Sequence, residues 1–226
     1  MFHKLSRATL TDQIVQSLLE YIEAAGLRPG DVLPSENRLA AEFGVSRPVV
    51  REALKVLAGQ DIVDVVAGKG AVIRPIDSGV LQSFFERAIG LNGSALPQLL
   101  EVRSGLEMYS AQVVAERCTG EDLVDLRHIV AEMRACMGDR EAYARLDLQF
   151  HMRLAQASGN RMLYHLMESV GGALQASMVD SYRPERSGQT IEEIQRLHET
   201  VMDELERRDV AAARVAMARH FDPVLP

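Results

Sequence analysis

The stretch Gly44 to Leu57, "GVSRPVVREALKVL", decides the reading of the N-terminal part of the chain. At roughly 100° per residue, Val50, Ala53, Leu54 and Leu57 gather within about a quarter-turn of a helix. Arg47, Arg51 and Lys55 are spaced four apart, so they lie on the neighbouring flank. Pro48 fits because the first helical turn has no intrahelical acceptor for its missing N–H. The spacing predicts a helix from Ser46, with Ser46 as N-cap and Ser46, Arg47 and Val49 exposed at the tip. Most of its cations show no acidic partner in sequence. A cationic tip and flank suit a DNA groove, where the tip meets base edges and the helix dipole and arginines meet phosphate. A solvated basic flank is the plainer reading of one such helix.

The neighbouring segments add context. "TLTDQIVQSLLEYIEAAG" places Ile14, Val15, Leu18, Leu19 and Ile22 at helical spacing, with Thr11 as the expected N-cap and Gly26 as the stop. "PSENRLAAEFG" predicts a second helix capped by Ser35 and ended by Gly44. Two β-rich runs, Ile62–Val66 and Ala71–Arg74, flank Gly68-Lys69-Gly70, a hairpin turn signal. Three helices and a hairpin make a winged helix-turn-helix.

The rest of the chain reads as helical. Segments of about 79–91, 94–117, 120–137, 140–157, 160–182, 189–208 and 209–221 are separated by breakers such as Asn92-Gly93, Gly138, Gly159 and Pro184 to Gly188. Amphipathic helices joined by short loops suggest an antiparallel bundle of six or seven members, the number turning on 79–91. The fold class is therefore mainly α, with an expected division into residues 1–75 for DNA binding and residues 76–226 for effector binding and dimerisation.

Charge follows the same division. Residues 1–75 carry nine basic and nine acidic side chains, so the whole net charge of −7 belongs to the residues after them. A neutral domain can still present a basic face, whereas an acidic one turns away from a polyanion. Hydrophobic residues make up 47% of the chain, yet no run approaches the ~20 apolar residues of a membrane span. The start "MFHKLSRATL" lacks a secretory core. Cys118 and Cys136 lack metal-type spacing and read as reduced thiols. A cytoplasmic protein is expected, with no membrane partner.

In the bundle, Asp147 and His151 stand four apart on one helix face. Alone, the pair could chelate a metal, but its plainer reading is an exposed ion pair or a core histidine with a satisfied hydrogen bond. His198 and His220 lie near apolar stripes in similar settings. Three imidazoles and a carboxylate would form a set suited to zinc, nickel or manganese. His3, His128 and His165 read as surface or packing residues. Tyr109, Met133, Tyr143 and Tyr164 could line a cavity or belong to the core, and Asn160 reads as a helix cap.

"LPSENRLAAEFGVSRPVVREALKVLAGQDIV" followed by "GKGAVI" resembles the winged helix-turn-helix of the GntR family of bacterial transcription regulators. The resemblance implies DNA contacts from Ser46, Arg47, Pro48, Val49, Arg51 and Gly68, with Lys69 beside it. Relatives commonly carry arginine directly after "PSE". Here Asn37 stands there with Arg38 next to it, and both are kept as DNA-binding candidates. Arg47 is expected to read guanine or phosphate, and Arg51 to bind phosphate.

"LLEVRSGLE", "DLQFHMRLAQASGN", "LHETVMDELERRDVAAA" and "MARHF" resemble the ligand domain of the FadR-type subgroup, in its metal-binding branch. That resemblance implies a divalent ion, zinc first with nickel or manganese as alternatives, on Asp147, His151, His198 and His220. It also implies a small carboxylate effector met by Arg103, whose plainer role is an ion pair with Glu107. No nucleophile elbow or phosphate loop is present, so no enzyme is expected. The reading is a regulator, a repressor by resemblance, acting as a homodimer on a pseudo-palindromic duplex. The alternatives are a regulator with a purely structural metal, or a metal-dependent hydrolase.

Overall fold

Thr9 opens the first helix, α1 (Leu10–Ala24), two residues before the expected cap. Its hydroxyl accepts from the Asp12 N–H at 3.1 Å while the Asp12 carboxylate accepts from the Thr9 N–H at 2.9 Å. This capping box satisfies two orphan donors at once. Thr11 has Ile14 three residues on and cannot form one, which is why the start moves. In the computed structural model, residues 9–92, 95–181 and 190–221 are described. His3, Gly93 and the breaker Pro184 to Gly188 lie outside them.

The second helix, α2 (Glu36–Phe43), starts at Ser35, which accepts from the Arg38 N–H at 3.3 Å. It ends at Gly44 with φ +64°, where a side chain would be strained. The third, α3 (Arg47–Gly59), buries Val50, Ala53, Leu54 and Leu57 on one face, as its periodicity requires. They pack with Ile14 and Leu18 of α1, Leu39 and Ala40 of α2, and the hairpin residues Val63, Ala71 and Ile73.

The hairpin pairs β1 (Val63–Val66) with β2 (Gly70–Ile73), antiparallel, with Val63 opposite Ile73 and Val66 opposite Gly70. Both strands sit about one residue off the pattern-based bounds. Ile62 instead closes the turn after α3, its N–H bonded to the Leu57 carbonyl at 3.0 Å. Val32 adds an antiparallel bridge to Val72, which ties the wing to the loop before α2. Leu57 is 0% exposed. Leu57→Ala should cost about 2–5 kcal/mol, seen as a lowered urea midpoint.

The chain divides into two compact units, Met1–Asp77 and Ser78–Pro226. The second contains α4 (Gly79–Leu91), α5 (Ala95–Arg117), α6 (Gly120–Ala135), α7 (Arg140–Ala157), α8 (Arg161–Ser181), α9 (Ile191–Glu206) and α10 (Val210–Phe221). Residues 79–91 do form a helix, so seven are present among the described residues. The short loops before α6, α7, α8 and α9 each supply a cap. Thr119 and Thr190 make capping boxes with Asp122 and Glu193. Asp139 accepts from Glu141 and Ala142, and Asn160 from Met162 and Leu163, as expected of Asn160.

The long helix α5 is the hub, packing against α4, α7, α8, α9 and α10. It carries polar residues at buried positions, Arg103, Ser104, Glu107 and Ser110, alongside Val113, Val114 and Ala115. Buried polar groups need partners, and those of Arg103 and Glu107 lead directly to the site. Cys118 and Cys136 are free thiols. Among the described residues, no helix is long and apolar enough to cross a membrane.

Candidate functional site

In the first unit, Ser46, Arg47, Pro48 and Arg51 stand exposed at the start of α3. Val49 does not: it is half-buried and packs on the core. Ser46 occupies the N-cap position, but its side chain makes no capping hydrogen bond. The reason lies in the sequence. A cap hydroxyl accepts from the second or third helical N–H. The second belongs to Pro48, which has none, and the Val49 N–H bonds the Ser46 carbonyl at 3.1 Å.

The cations are better partnered than their spacing suggested. Packing of α2 on α3 brings Glu36 against them. Arg51 donates to both Glu36 oxygens, at 3.2 and 2.9 Å, and Arg47 lies 4.0 Å from the same carboxylate. Lys55 pairs with Glu52 and Arg38 with Glu42, each at 2.8 Å. The Arg51 guanidinium holds Glu36 below its usual range. These pairs stay solvent-facing, with the Arg47 and Arg51 side chains 59% and 54% exposed. Such pairs are weak and open to competition by another anion. Asn37 and Arg38 are exposed at the start of α2, and Gly68 and Lys69 at the hairpin tip. Gly68 has φ +77° and the Lys69 N–H closes the turn on the Val66 carbonyl.

In the second unit three helices deliver four ligand-type side chains to one point. α7 supplies Asp147 and His151, α9 supplies His198, and α10 supplies His220. One ligand atom from each lies within 4.8 Å of every other. Asp147, His151 and His198 are 2%, 1% and 0% exposed. The His198 and His220 ring centroids are 4.3 Å apart, and those of His151 and His220 5.0 Å. His198 Nε2 stands 2.9 Å from Asp147 Oδ1 and His151 Nε2 3.7 Å from it. Neither contact has hydrogen-bond geometry: both nitrogens, and His220 Nδ1, are buried with no hydrogen-bond partner. Orphaned buried donors or acceptors are rare and costly. Three such nitrogens on residues clustered with one carboxylate fit a divalent cation, for which imidazole nitrogen and carboxylate oxygen are suitable ligands.

The electrostatics favour the same occupant. Burial opposes charge on Asp147, yet His151 and His198 hold its carboxyl well below the usual carboxylate range. Burial, with His198 and His151 nearby, pushes His220 well below the usual imidazole value. These directions favour the anion of Asp147 and the neutral ring of His220, the forms that ligate metal. Against burial, Glu107 and Asp147 raise His151 and hold on it a proton that a bound cation would replace. Phe150 and Phe221 close the site, their ring centroids 5.3 Å from His198 and 5.1 Å from His220.

Arg103 does make its ion pair with Glu107, at 2.7 Å, but inside the bundle, the two side chains being 5% and 0% exposed. Its guanidinium also sits over the Phe221 ring, 5.5 Å from the centroid. Glu107 reaches further than sequence reasoning showed, because its other oxygen contacts His151 Nδ1. Nothing in a separation of 44 residues signals that contact. Of the possible cavity residues, Met133 is core and Tyr109 is exposed. Tyr143 is buried, donates to Gln195 at 3.1 Å and lies 6.5 Å from His198, while Tyr164 bonds Glu168. His128 is solvent-facing and His165 is part-buried against Ser78.

Known proteins match along nearly the whole chain. Residues 10–73 match the family described as bacterial regulatory proteins, gntR family, and residues 98–223 match the FCD domain. The HTH-type transcriptional regulator LutR of Bacillus subtilis is 31% identical over 90% of this chain and 94% of its own length. The galactonate operon transcriptional repressor of Escherichia coli is 28% identical over 91% of each. A solved structure of Streptococcus agalactiae GntR superposes with a TM-score of 0.73 at 26% identity, covering 95% of this chain and 98% of that one.

Proposed function

Since this chain belongs to the gntR family of bacterial regulatory proteins and carries an FCD domain, a transcriptional regulator and not an enzyme, we propose that its grip on an operator is controlled by a small carboxylate bound at a metal in the bundle. The observation that carries this reading is the buried set Asp147, His151, His198 and His220, with its unpartnered nitrogens.

The work divides at the boundary between the units. Residues 1–75 bind duplex DNA. Residues 76–226 bind the effector and pair two chains, so that two recognition helices meet the half-sites of a pseudo-palindrome. At each half-site Ser46, Arg47 and Pro48 lead the helix tip into the major groove, with Val49 packed behind them on the core. Arg51, Asn37 and Arg38 hold the backbone, and Gly68 and Lys69 extend the wing. Arg47 and Arg51 leave Glu36 for phosphate or guanine, an exchange that exposed pairs permit. Such a regulator works in the cytoplasm, where its DNA is.

Asp147, His151, His198 and His220 would hold the ion, zinc first with nickel or manganese as alternatives. When bound, the ion supplies a Lewis-acidic position that a carboxylate oxygen can take. Arg103 provides a guanidinium close to Phe221 and His151, suited to the carboxylate's charge. Phe150 and Phe221 exclude water, which strengthens each of these interactions. One relative is named for the operon of a sugar acid, galactonate, and for repression. Both agree with a repressor released by a small acid.

The test has two stages. Selection from a random duplex pool with the full-length protein identifies the operator, expected as an inverted repeat. Citrate, lactate and gluconate are then added to the protein–operator complex. A coupling of about 1–3 kcal/mol would shift operator affinity roughly 5–150-fold for the matching acid. Affinity that responds to metal removal and to none of the acids would make the metal structural instead.

A further inference from the structure

Glu107 is fully buried on α5, and each of its oxygens is engaged. Oε1 accepts from Arg103 Nε at 2.7 Å, and Oε2 contacts His151 Nδ1. We propose that Glu107 is a positioning residue for the metal centre: it takes the Nδ1–H of His151 and so leaves Nε2 bare, facing Asp147, His198 and His220. This rests on the metal reading above.

A neutral imidazole carries its proton on one nitrogen, and the hydrogen bond made by the other side of the ring decides which. His198 is set in the same way by the backbone, its Nδ1 standing 3.0 Å from the Ile194 carbonyl oxygen. His151 has no such carbonyl among its contacts and takes a carboxylate from another helix instead. A carboxylate is the stronger acceptor, and it also makes the ring a better electron donor to a cation.

An isolated carboxylate could not be buried so deeply. Arg103, one turn before it on α5, supplies the offsetting charge. The buried guanidinium, the buried carboxylate and the ligand imidazole thus form one run of groups from α5 into α7. A core ion pair alone would explain the first two and would give Glu107 no reason to meet His151.

The direct measurement is a long-range proton–nitrogen correlation spectrum of zinc-loaded, histidine-labelled full-length protein. His151 should carry its proton on Nδ1 and bind through Nε2. A proton on Nε2, or binding through Nδ1, overturns the proposal. Glu107→Gln should weaken zinc binding roughly 10–100-fold in competition with a chromogenic chelator, with the fold checked by circular dichroism. A folded Glu107→Gln variant with wild-type zinc affinity also overturns it. Should that variant not fold, the wild-type spectrum decides alone. Wild-type protein that takes up no zinc defeats the metal reading itself, whereas zinc uptake with an indifferent Glu107→Gln defeats only the role given to Glu107.

Discussion

His151→Ala combined with His220→Ala removes metal from the protein: elemental analysis should fall from about one ion per chain to background. The two rings come from α7 and α10, so their loss leaves Asp147 and His198, a pair 2.9 Å apart, which is too few ligands for a protein-held zinc ion. The fold should survive, because Glu107 keeps Arg103 as its partner. Metal affinity is also folding free energy when the unfolded chain has no site. At free zinc one hundred times its Kd, wild type should gain about 2.7 kcal/mol. For a chain of this size that is roughly 5–10 °C of melting temperature. The double variant should show no such gain. A variant with full metal content would remove these residues from the site.

Arg47→Ala and Arg51→Ala should each weaken operator binding roughly 10–100-fold while leaving folding and metal content unchanged. Both side chains are more than half exposed and lie off the core face of α3, so little of the fold depends on them. The two losses should differ in kind. Removing a phosphate contact lowers the salt dependence of binding by about one unit per half-site, uniformly across sequences. Removing a base contact relaxes the preference at one position. Arg51→Ala also strips Glu36 of its closest cation, leaving a carboxylate next to the incoming phosphates. Its effect on the salt slope should therefore be the larger. Gel shifts unchanged for both variants would refute the assignment of α3 as the recognition helix.

What could be read from sequence was whatever repeats at the period of one helix. The Val50, Ala53, Leu54 and Leu57 stripe recurs every three or four residues, and all four are buried. The helix spacing of Asp147 and His151 made half of the ligand set visible, the settings of His198 and His220 near apolar stripes suggested the rest, and the resemblance joined the four, which the fold gathers together. Contacts between elements left no such trace. Glu36 meets Arg51 across 15 residues and Glu107 meets His151 across 44. Each changes the chemistry of a residue already singled out: the cations of α3 have an anion to exchange, and a ligand histidine has an orienting carboxylate. The local errors have local causes. Thr9 outcompetes Thr11 as a cap because Asp12 stands three residues after it, and Ser46 does not cap with its hydroxyl because Pro48 removes the nearest donor. Val49 faces inward because its position on the helix borders the stripe that begins at Val50.

The most direct test of the whole account is an anisotropy titration of labelled operator with wild type and with the His151→Ala, His220→Ala double variant. Each is run with and without the acid that acts on wild type. Wild-type affinity should change at least fivefold on adding the acid, and the double variant should bind operator with an affinity the acid does not alter. An equal response in both proteins, or no response of wild type to any small acid, would contradict the claim that the buried Asp–His cluster governs the hold on DNA.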